Sequence, residues 1–198
     1  INGQNHNIPI VGEIEFASWF TRSKIIAITG SNGKTTTSHI LAKMCKTHKV
    51  NGRMAGNMGI PFSECVFNEL LNPDKKTIYI LEISSFQMEF IVHFCPHIAL
   101  YTNITEDHLD RHGNMEEYFD MKMKMIQNIK PENYIVYNGK DPRLVSAFKN
   151  NEHYKNVYCF NSDDSLFKIS NNSVINKTNN IEFKLSNFKL PGEHNISN

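Results

Sequence analysis

Cysteine is sparse in this sequence, and the four that occur are widely spaced with no Cys-x-x-Cys pair: Cys45, Cys65, Cys95 and Cys159. This spacing argues against a zinc site or a disulfide framework and favours reduced thiols in a cytoplasmic protein. Long apolar runs are also missing, since no stretch reaches the roughly eighteen residues that a membrane span needs. The formal net charge is only +1, which argues against a nucleic-acid partner or an anionic membrane surface.

The amino terminus has neither a basic stretch nor an apolar stretch, so no secretory signal is predicted. It also lacks a methionine, and the chain stops abruptly after residues 195–198, Asn-Ile-Ser-Asn. We therefore expect a piece of a longer protein. Its 198 residues have room for one domain, residues 1–198, which we expect to be a monomer, with residues 1–24 as an N-terminal linker.

Short apolar segments alternate with helical patterns, which is typical of a parallel α/β sheet. The predicted strands are residues 25–28, around 50–54, 77–83, 97–102 and 134–137; the predicted helices are residues 34–48, 114–129 and 141–149. Residues 150–190 are dense in Asn and Ser and are predicted as antiparallel β-hairpins, with Asn-rich disorder as the alternative. The expected fold is a mostly parallel central sheet flanked by helices, followed by a β-hairpin region.

A glycine-rich segment with a lysine and two hydroxyl groups follows the first of these strands: Gly30, Ser31, Asn32, Gly33, Lys34, Thr35 and Thr36. In such a P-loop, backbone N–H groups and a helix N-terminus face an anion, the lysine adds positive charge, and a hydroxyl reaches Mg²⁺. Only two residues separate the glycines, instead of the usual four, so the loop is tighter than a common P-loop. A glycine turn with a chance lysine is the alternative to a P-loop NTPase-like fold.

Glu82 closes the apolar run of residues 78–81, and a carboxylate at the carboxyl end of a buried strand lies where doubly wound sheets bind ligands. In a P-loop protein an acid there orders a metal ion; a solvent-exposed acid is the alternative. The next strand runs into residues 103–111, which are dense in titratable groups. His108 is suited to ligating Mg²⁺ or orienting phosphate oxygens, unless this is an ordinary solvated loop.

Lys122 falls within the apolar stripe of the helix predicted over residues 114–129, whereas Lys124 points into solvent, taking about 100° per residue. A lysine on a buried face needs a partner or a lowered pKa. Either its ammonium snorkels to the surface, or a neutral amine reacts with CO₂ to give a carbamate, an anionic ligand for a hard metal ion.

Residues 56–59, Gly-Asn-Met-Gly, follow the strand predicted around residues 50–54. This segment is either a turn only or a loop that brings the Asn57 amide to a substrate, and the sequence leaves both interpretations open.

Together these motifs resemble, in composition and order, those of the Mur ligases, ATP-dependent amide-forming enzymes of peptidoglycan precursor synthesis. The resemblance is carried by residues 29–35, 56–59, 82, 103–110 and 122, and by residues 194–198, which are similar to the family's H-N-x-x-N segment. Residues 81–87 and 105–111 are most similar to the member that adds D-glutamate to UDP-N-acetylmuramoyl-L-alanine. The resemblance covers nearly the whole chain and implies the central ATPase domain of a three-domain enzyme, without its flanking domains and so without turnover on its own.

The resemblance also implies roles for individual residues. Lys34 and the N–H groups of the loop would hold the β- and γ-phosphates, and Thr35 and Glu82 would ligate a first Mg²⁺. His108 and a carbamylated Lys122 would serve a second Mg²⁺. The remaining implied contacts are Asn57 and Ser84 to the muramoyl substrate, and Asn198, with Asn195 as a weaker candidate, to adenine.

The implied reaction starts when the alanyl carboxylate of the sugar nucleotide attacks the γ-phosphate of ATP. The amine of D-glutamate then displaces phosphate from the acyl phosphate. Two other interpretations stay open: a related ligase such as a folylpolyglutamate synthase, and a P-loop kinase or nucleotide-binding module without ligase chemistry.

Overall fold

A six-stranded, wholly parallel sheet forms the centre of the protein in the computed structural model, which describes residues 10–73, 76–107, 109–163, 165–170 and 173–184. Its strands are β1 (Lys24–Thr29), β2 (Gly52–Gly56), β3 (Ile78–Glu82), β4 (Ile98–Tyr101), β5 (Tyr134–Asn138) and β6 (Asn156–Phe160). Their spatial order is β2-β3-β1-β4-β5-β6. Strand β1 therefore lies between β3 and β4, and the carboxyl ends of these three strands meet at one edge of the sheet.

One helix precedes the first strand and the others connect the strands: α1 (Glu13–Ser18), α2 (Lys34–Thr47), α3 (Phe62–Leu71), α4 (Ser85–Met88), α5 (Leu109–His112), α6 (Met115–Met123) and α7 (Pro142–Phe148). A 3-10 turn, Lys124–Ile126, continues α6. Within the described ranges, no helix has the length and apolar character needed to cross a membrane.

Local capping explains where two of these helices begin. The Asn114 side chain accepts hydrogen bonds from the N–H groups of the second and third residues of α6, and Asp141 does the same for α7, which then starts with Pro142. Side-chain acceptors at the N-cap satisfy N–H groups that lack intrahelical partners, and proline suits the first helical position.

The central strands are buried on both faces, as their β-branched and aromatic content predicted. Side chains such as Ile28, Tyr79 and Leu81 are fully enclosed. Backbone hydrogen bonds continue past the strand ends, from Ile83 N to Ile28 O and from Thr102 N to Thr29 O. The edge at which β1, β3 and β4 end is thus tied together by the backbone itself.

The predicted α/β fold is confirmed, with differences in detail. Residues 156–160 form a sixth parallel strand of the main sheet, although they fall in the region predicted as hairpins. The hairpins follow in a separate antiparallel sheet made of β7 (Phe167–Ser170), β8 (Ser173–Asn176) and β9 (Glu182–Lys184). Helix α1 lies inside the segment predicted as a linker.

The helix predicted over residues 114–129 is shorter than expected, since α6 ends at Met123. Its Lys124 is only partly exposed, because the ammonium donates to Glu89 O at 3.4 Å, so the expectation that it points into solvent was only partly right.

Candidate active site

The tight loop between β1 and α2 lies at the carboxyl edge of the sheet and needs glycine for steric reasons. Gly30 has a φ of 149°, and a Cβ atom there would lie 2.0 Å from Thr102 Oγ1 and 2.9 Å from Asn103 O. Gly33, with a φ of 83°, is the N-cap of α2. The loop can therefore lie against the segment that follows β4 only because it has no side chain at position 30.

Asn103 holds the loop from the β4 side. Its carbonyl accepts from Ser31 N at 2.8 Å, and its side-chain oxygen accepts from Asn32 N at 2.9 Å. Its amide donates back to Asn32 O at 2.9 Å. The N–H groups of Ser31 and Asn32, which were expected to hold phosphate, thus donate to the protein instead. The N–H groups without intrahelical partners are those in the first turn of α2.

Lys34 curls back over the loop, donating from Nζ to Gly30 O at 2.8 Å and to Ser31 O at 3.0 Å. Partial burial lowers the pKa of this amine, and the nearby carboxylates of Glu82 and Asp107 partly offset that effect. The loop's own carbonyls therefore place a positive charge at the start of α2, where an anion would meet both the lysine and the helix N-terminus.

Glu82 joins the phosphate loop to the loop of residues 56–59. Its buried carboxylate accepts from Thr35 Oγ1 at 2.7 Å and from Asn57 Nδ2 at 3.0 Å. The structure thus brings together three of the predicted site residues, from the ends of β1, β2 and β3. It also shows Asn57 on the site edge, where its N–H donates to Glu82 O at 2.8 Å.

The Thr35–Glu82 pair fits a magnesium ion. A hydroxyl and a carboxylate are hard oxygen donors, and Mg²⁺ in nucleotide sites is bound through one or two carboxylates together with phosphates and waters. Among the residues that the structure describes, His, Cys, Asp and Glu form no group of three that could hold a metal ion by themselves. The pair would therefore need phosphate oxygens to complete the coordination.

Lys122 lies inside the protein, behind the phosphate loop. The side chain is 1% exposed, and Nζ donates to Gly30 O at 3.1 Å. Burial, with a smaller contribution from the neighbouring charge of Lys34, lowers its pKa to about 7, although Asp107 acts in the opposite direction. The amine does not snorkel to the surface, and it carries a large neutral fraction near neutral pH.

Tyr118 contacts both Lys122 and the phosphate loop and forms part of the wall of the site. The lysine Nζ lies 4.5 Å from the centre of the tyrosine ring, and the phenol oxygen shares a hydrogen bond with Ser31 Oγ at 3.2 Å. Sequence reasoning missed this tyrosine, although it stands one helical turn before Lys122 and so shares its face of α6.

Ser84 is the N-cap of α4, directly after β3. Its backbone N–H and its hydroxyl both donate to Gln87 Oε1, at 3.0 Å and 3.1 Å. The predicted substrate contact therefore lies at the same sheet edge as Glu82, two residues further along the chain.

The segment that follows β4 is held by side chains from the end of β5 and from the N-cap of α7. Asn138 Nδ2 donates to Thr102 O at 2.9 Å, and Asp141 Oδ2 accepts from Ile104 N at 2.6 Å. Neither residue was singled out in the sequence. The predicted residues His108, Asn195 and Asn198 lie outside the described residues.

Comparison with known proteins agrees with this geometry. Residues 28–198 match the family described as the Mur ligase middle domain. The chain is 36% identical over 197 residues to a UDP-N-acetylmuramoylalanine--D-glutamate ligase of Christiangramia forsetii, covering 96% of this chain and 43% of the relative. A ligase of the same name from Macrococcus caseolyticus is 38% identical, with 98% and 42% covered.

Among solved structures, the chain is similar to a MurF ligase from Thermotoga maritima in complex with ADP. The TM-score is 0.58 at 26% sequence identity, covering 82% of this chain and 39% of that one. The chain spans less than half the length of the curated relatives it matches.

Proposed function

Because this chain belongs to the Mur ligase family, we propose that it is the central, ATP-binding domain of a three-domain ligase that joins D-glutamate to UDP-N-acetylmuramoyl-L-alanine. The identity to ligases of that name supports this choice of substrates. One structural observation carries the proposal: Glu82 contacts both Thr35 in the phosphate loop and Asn57 in the loop expected to meet the muramoyl substrate. Nucleotide and acceptor would then meet at one carboxylate.

The chemical difficulty of this reaction is electrostatic. The alanyl carboxylate must approach the γ-phosphate, and each pair of like unit charges at about 4 Å costs about 4 kcal/mol at an effective dielectric constant near 20. Lys34 and the N-terminus of α2 would offset this repulsion from the protein side. The carboxylate oxygen then bonds to the γ-phosphorus as ADP leaves, and the D-glutamate amine displaces phosphate from the acyl carbon.

The metal ions expected here have matching residues. Thr35 and Glu82 would hold one Mg²⁺; His108 and a carbamate on Lys122 would hold a second. Bound Mg²⁺ would supply charge neutralisation of the phosphates. A carbamate on Lys122 is supported by its pKa near 7, which leaves a substantial part of the buried amine neutral, and so nucleophilic toward CO₂, at neutral pH.

The proposed three-domain organisation limits what this chain can do by itself. We propose that the 198 residues bind ATP and Mg²⁺ but do not turn over, because none of the contacts among the residues that the structure describes is assigned to the incoming D-glutamate, and the chain spans less than half the length of its relatives. Since ATP and UDP-sugars are cytoplasmic metabolites, the ligase would act in the cytoplasm.

The test uses the full-length protein that carries this domain. ATP-dependent phosphate release should require both UDP-N-acetylmuramoyl-L-alanine and D-glutamate. Lys34→Ala should weaken ATP binding by more than tenfold, because it removes the cation of the loop, and Glu82→Gln should lower turnover by at least a hundredfold at fixed Mg²⁺. Lys43→Ala, at an exposed position of α2, is the matched control.

Different results would point to other functions. Phosphate release driven by a folate and L-glutamate would indicate a folylpolyglutamate synthase, and phosphate transfer to a hydroxyl acceptor would indicate a kinase. Unchanged ATP affinity in Lys34→Ala would contradict the assignment of the phosphate loop.

A further inference from the structure

His112, the last residue of α5, lies between two parts of the proposed site and has no role in the mechanism above. Its side chain is buried, with 8% exposed. Its Nε2 lies 2.9 Å from the Ser85 hydroxyl, and the two share a hydrogen bond in which the donor depends on the imidazole tautomer. Ser85 is 2% exposed, so this hydrogen bond is shielded from water.

The imidazole ring is also fixed by two aromatic rings. It stacks on Phe86, with ring centres 5.6 Å apart and an interplanar angle of 17°, and its centre lies 5.2 Å from that of Tyr118. Tyr118 in turn shares a hydrogen bond with Ser31 in the phosphate loop. His112 therefore connects the start of α4 with the wall of the nucleotide site.

The start of α4 gains support from this connection. The helix has only four residues, which is too short to be stable through its own hydrogen bonds. Its capping interaction between Ser84 and Gln87 is internal to the segment and does not fix it to the rest of the protein. The hydrogen bond from Ser85 to His112 joins it to a different element, and it acts on the residue directly after Ser84.

We propose that His112 is a positioning residue that holds the beginning of α4 so that Ser84 meets the sugar-nucleotide substrate. This proposal rests on the proposed function, because Ser84 is a substrate contact only in that function. The effect acts on the acceptor side of the site: Lys34, Thr35 and Glu82 are held by contacts that do not involve His112.

The test compares variants of the full-length enzyme. His112→Phe keeps an aromatic ring between Phe86 and Tyr118 but leaves the buried Ser85 hydroxyl without this partner. We expect the KM for UDP-N-acetylmuramoyl-L-alanine to rise about tenfold and the KM for ATP to change less than twofold. His112→Gln, whose amide can reach the position of Nε2, should recover most of the loss.

A second variant checks the same hydrogen bond from its other end. Ser85→Ala should raise the same KM, and combining it with His112→Phe should add little, since both remove one interaction. Should His112→Phe fail to fold, the milder Ser85→Ala decides the matter alone. His153→Phe, the same substitution at an exposed histidine between α7 and β6, is the control and should leave both KM values unchanged.

Three results would overturn the inference: a lower melting temperature with an unchanged KM for the sugar nucleotide, an equal rise in both KM values, or additive effects in the double variant. A wild-type enzyme that does not use this sugar nucleotide would overturn the proposed function, and the inference with it. A wild-type enzyme that does use it, beside a His112→Phe enzyme with normal kinetics, would overturn the inference only.

Discussion

Lys122 is a buried amine whose burial costs the folded domain stability where the unfolded chain would be protonated. Its pKa in the folded protein is about 7, against an ordinary value of 10.5. Between these two pH values the unfolded chain binds a proton that the folded chain does not, so the contribution of Lys122 to stability is complete above pH 10.5 and is lost as the pH falls to 7. At neutral pH the buried lysine therefore lowers the free energy of unfolding of the domain.

Lys122→Met should accordingly raise the free energy of unfolding of the domain at pH 7. The carbonyl of Gly30 keeps a donor in Lys34, so no buried acceptor is left unpaired. The gain over wild type should shrink as the pH rises from 7 toward 10, with a limiting slope of about 1.4 kcal/mol per pH unit. Urea unfolding of both proteins in bicarbonate-free buffer at several pH values measures it, and a gain that does not vary with pH would contradict the explanation.

The same substitution, made in the full-length enzyme, tests the carbamate. In ¹³C-bicarbonate, a carbamate NMR signal should appear in the wild-type full-length enzyme with Mg²⁺ and nucleotide, and it should be absent from Lys122→Met. Full ligase activity without that signal would remove the proposed role of the lysine.

Among the larger elements, α7 supports the site through its N-cap residue, Asp141. Asp141 caps α7 by accepting from Arg143 N and Leu144 N with one oxygen, and it accepts from Ile104 N with the other. The segment after β4, which holds the phosphate loop through Asn103, is therefore attached to the start of the helix that follows the neighbouring strand, β5. The residue that caps α7 therefore also positions the segment that holds the phosphate loop.

Asp141→Ala should lower the free energy of unfolding by about 2–4 kcal/mol, because it removes a cap and leaves Ile104 N without its acceptor. Asp141→Asn keeps one oxygen for the cap and should cost about half as much. Chemical denaturation measures both, and titration with ATP should show weaker binding in the alanine variant. Equal losses in the two variants would mean that the cap has no weight, and an unchanged stability in Asp141→Asn would mean that the contact with Ile104 has none.

Strands β1, β3, β4 and β5 could be predicted from the sequence because each is a short, mostly apolar run bounded by polar residues or glycine, such as the run that ends at Glu82. Helix α6 and the burial of Lys122 followed from a period of about 3.6 residues. Helix α3 was missed, since its apolar residues are not confined to one face: Phe67 is 61% exposed and Cys65 is fully buried. Local patterns fail where a helix keeps apolar residues on its outer side.

The supporting part of the site could not be predicted, because it depends on contacts between distant parts of the chain. Asn103 contacts Asn32, and Asp141 contacts Ile104, across separations of 71 and 37 residues. Polar residues such as these carry no periodic signal. The order of the strands, which places β1 between β3 and β4, decides which of them meet.

For the molecule as a whole, Glu15 connects the first helix to the body of the domain. This fully buried carboxylate accepts from the N–H groups of Val92, His93 and Phe94 and from Trp19 Nε1. Burial would raise the pKa of Glu15, but these donors outweigh it and lower the pKa below its ordinary value of 4.5. The stabilisation is thus present above pH 4.5 and is lost as the pH falls through the lower folded-state pKa.

Glu15→Ala should therefore destabilise the whole domain by about 2–4 kcal/mol at pH 7, since it leaves three backbone donors without their acceptor. The difference between variant and wild type should diminish in acid as the wild-type carboxylate becomes protonated. Thermal unfolding at pH 7 and near pH 3 measures both effects. Replacement of the exposed Glu116 by alanine is the control, and a difference that persists undiminished in acid would contradict this role.

All the contacts assigned to the reaction lie at the edge of the sheet where the parallel strands end. The opposite edge carries none of these assigned contacts. The connection from α7 to β6 enters the sheet from the opposite rim, and Glu152 and His153 form an exposed turn there. A fluorescent reporter or an affinity tag inserted in this turn should therefore leave the contacts of the site at the other rim in place.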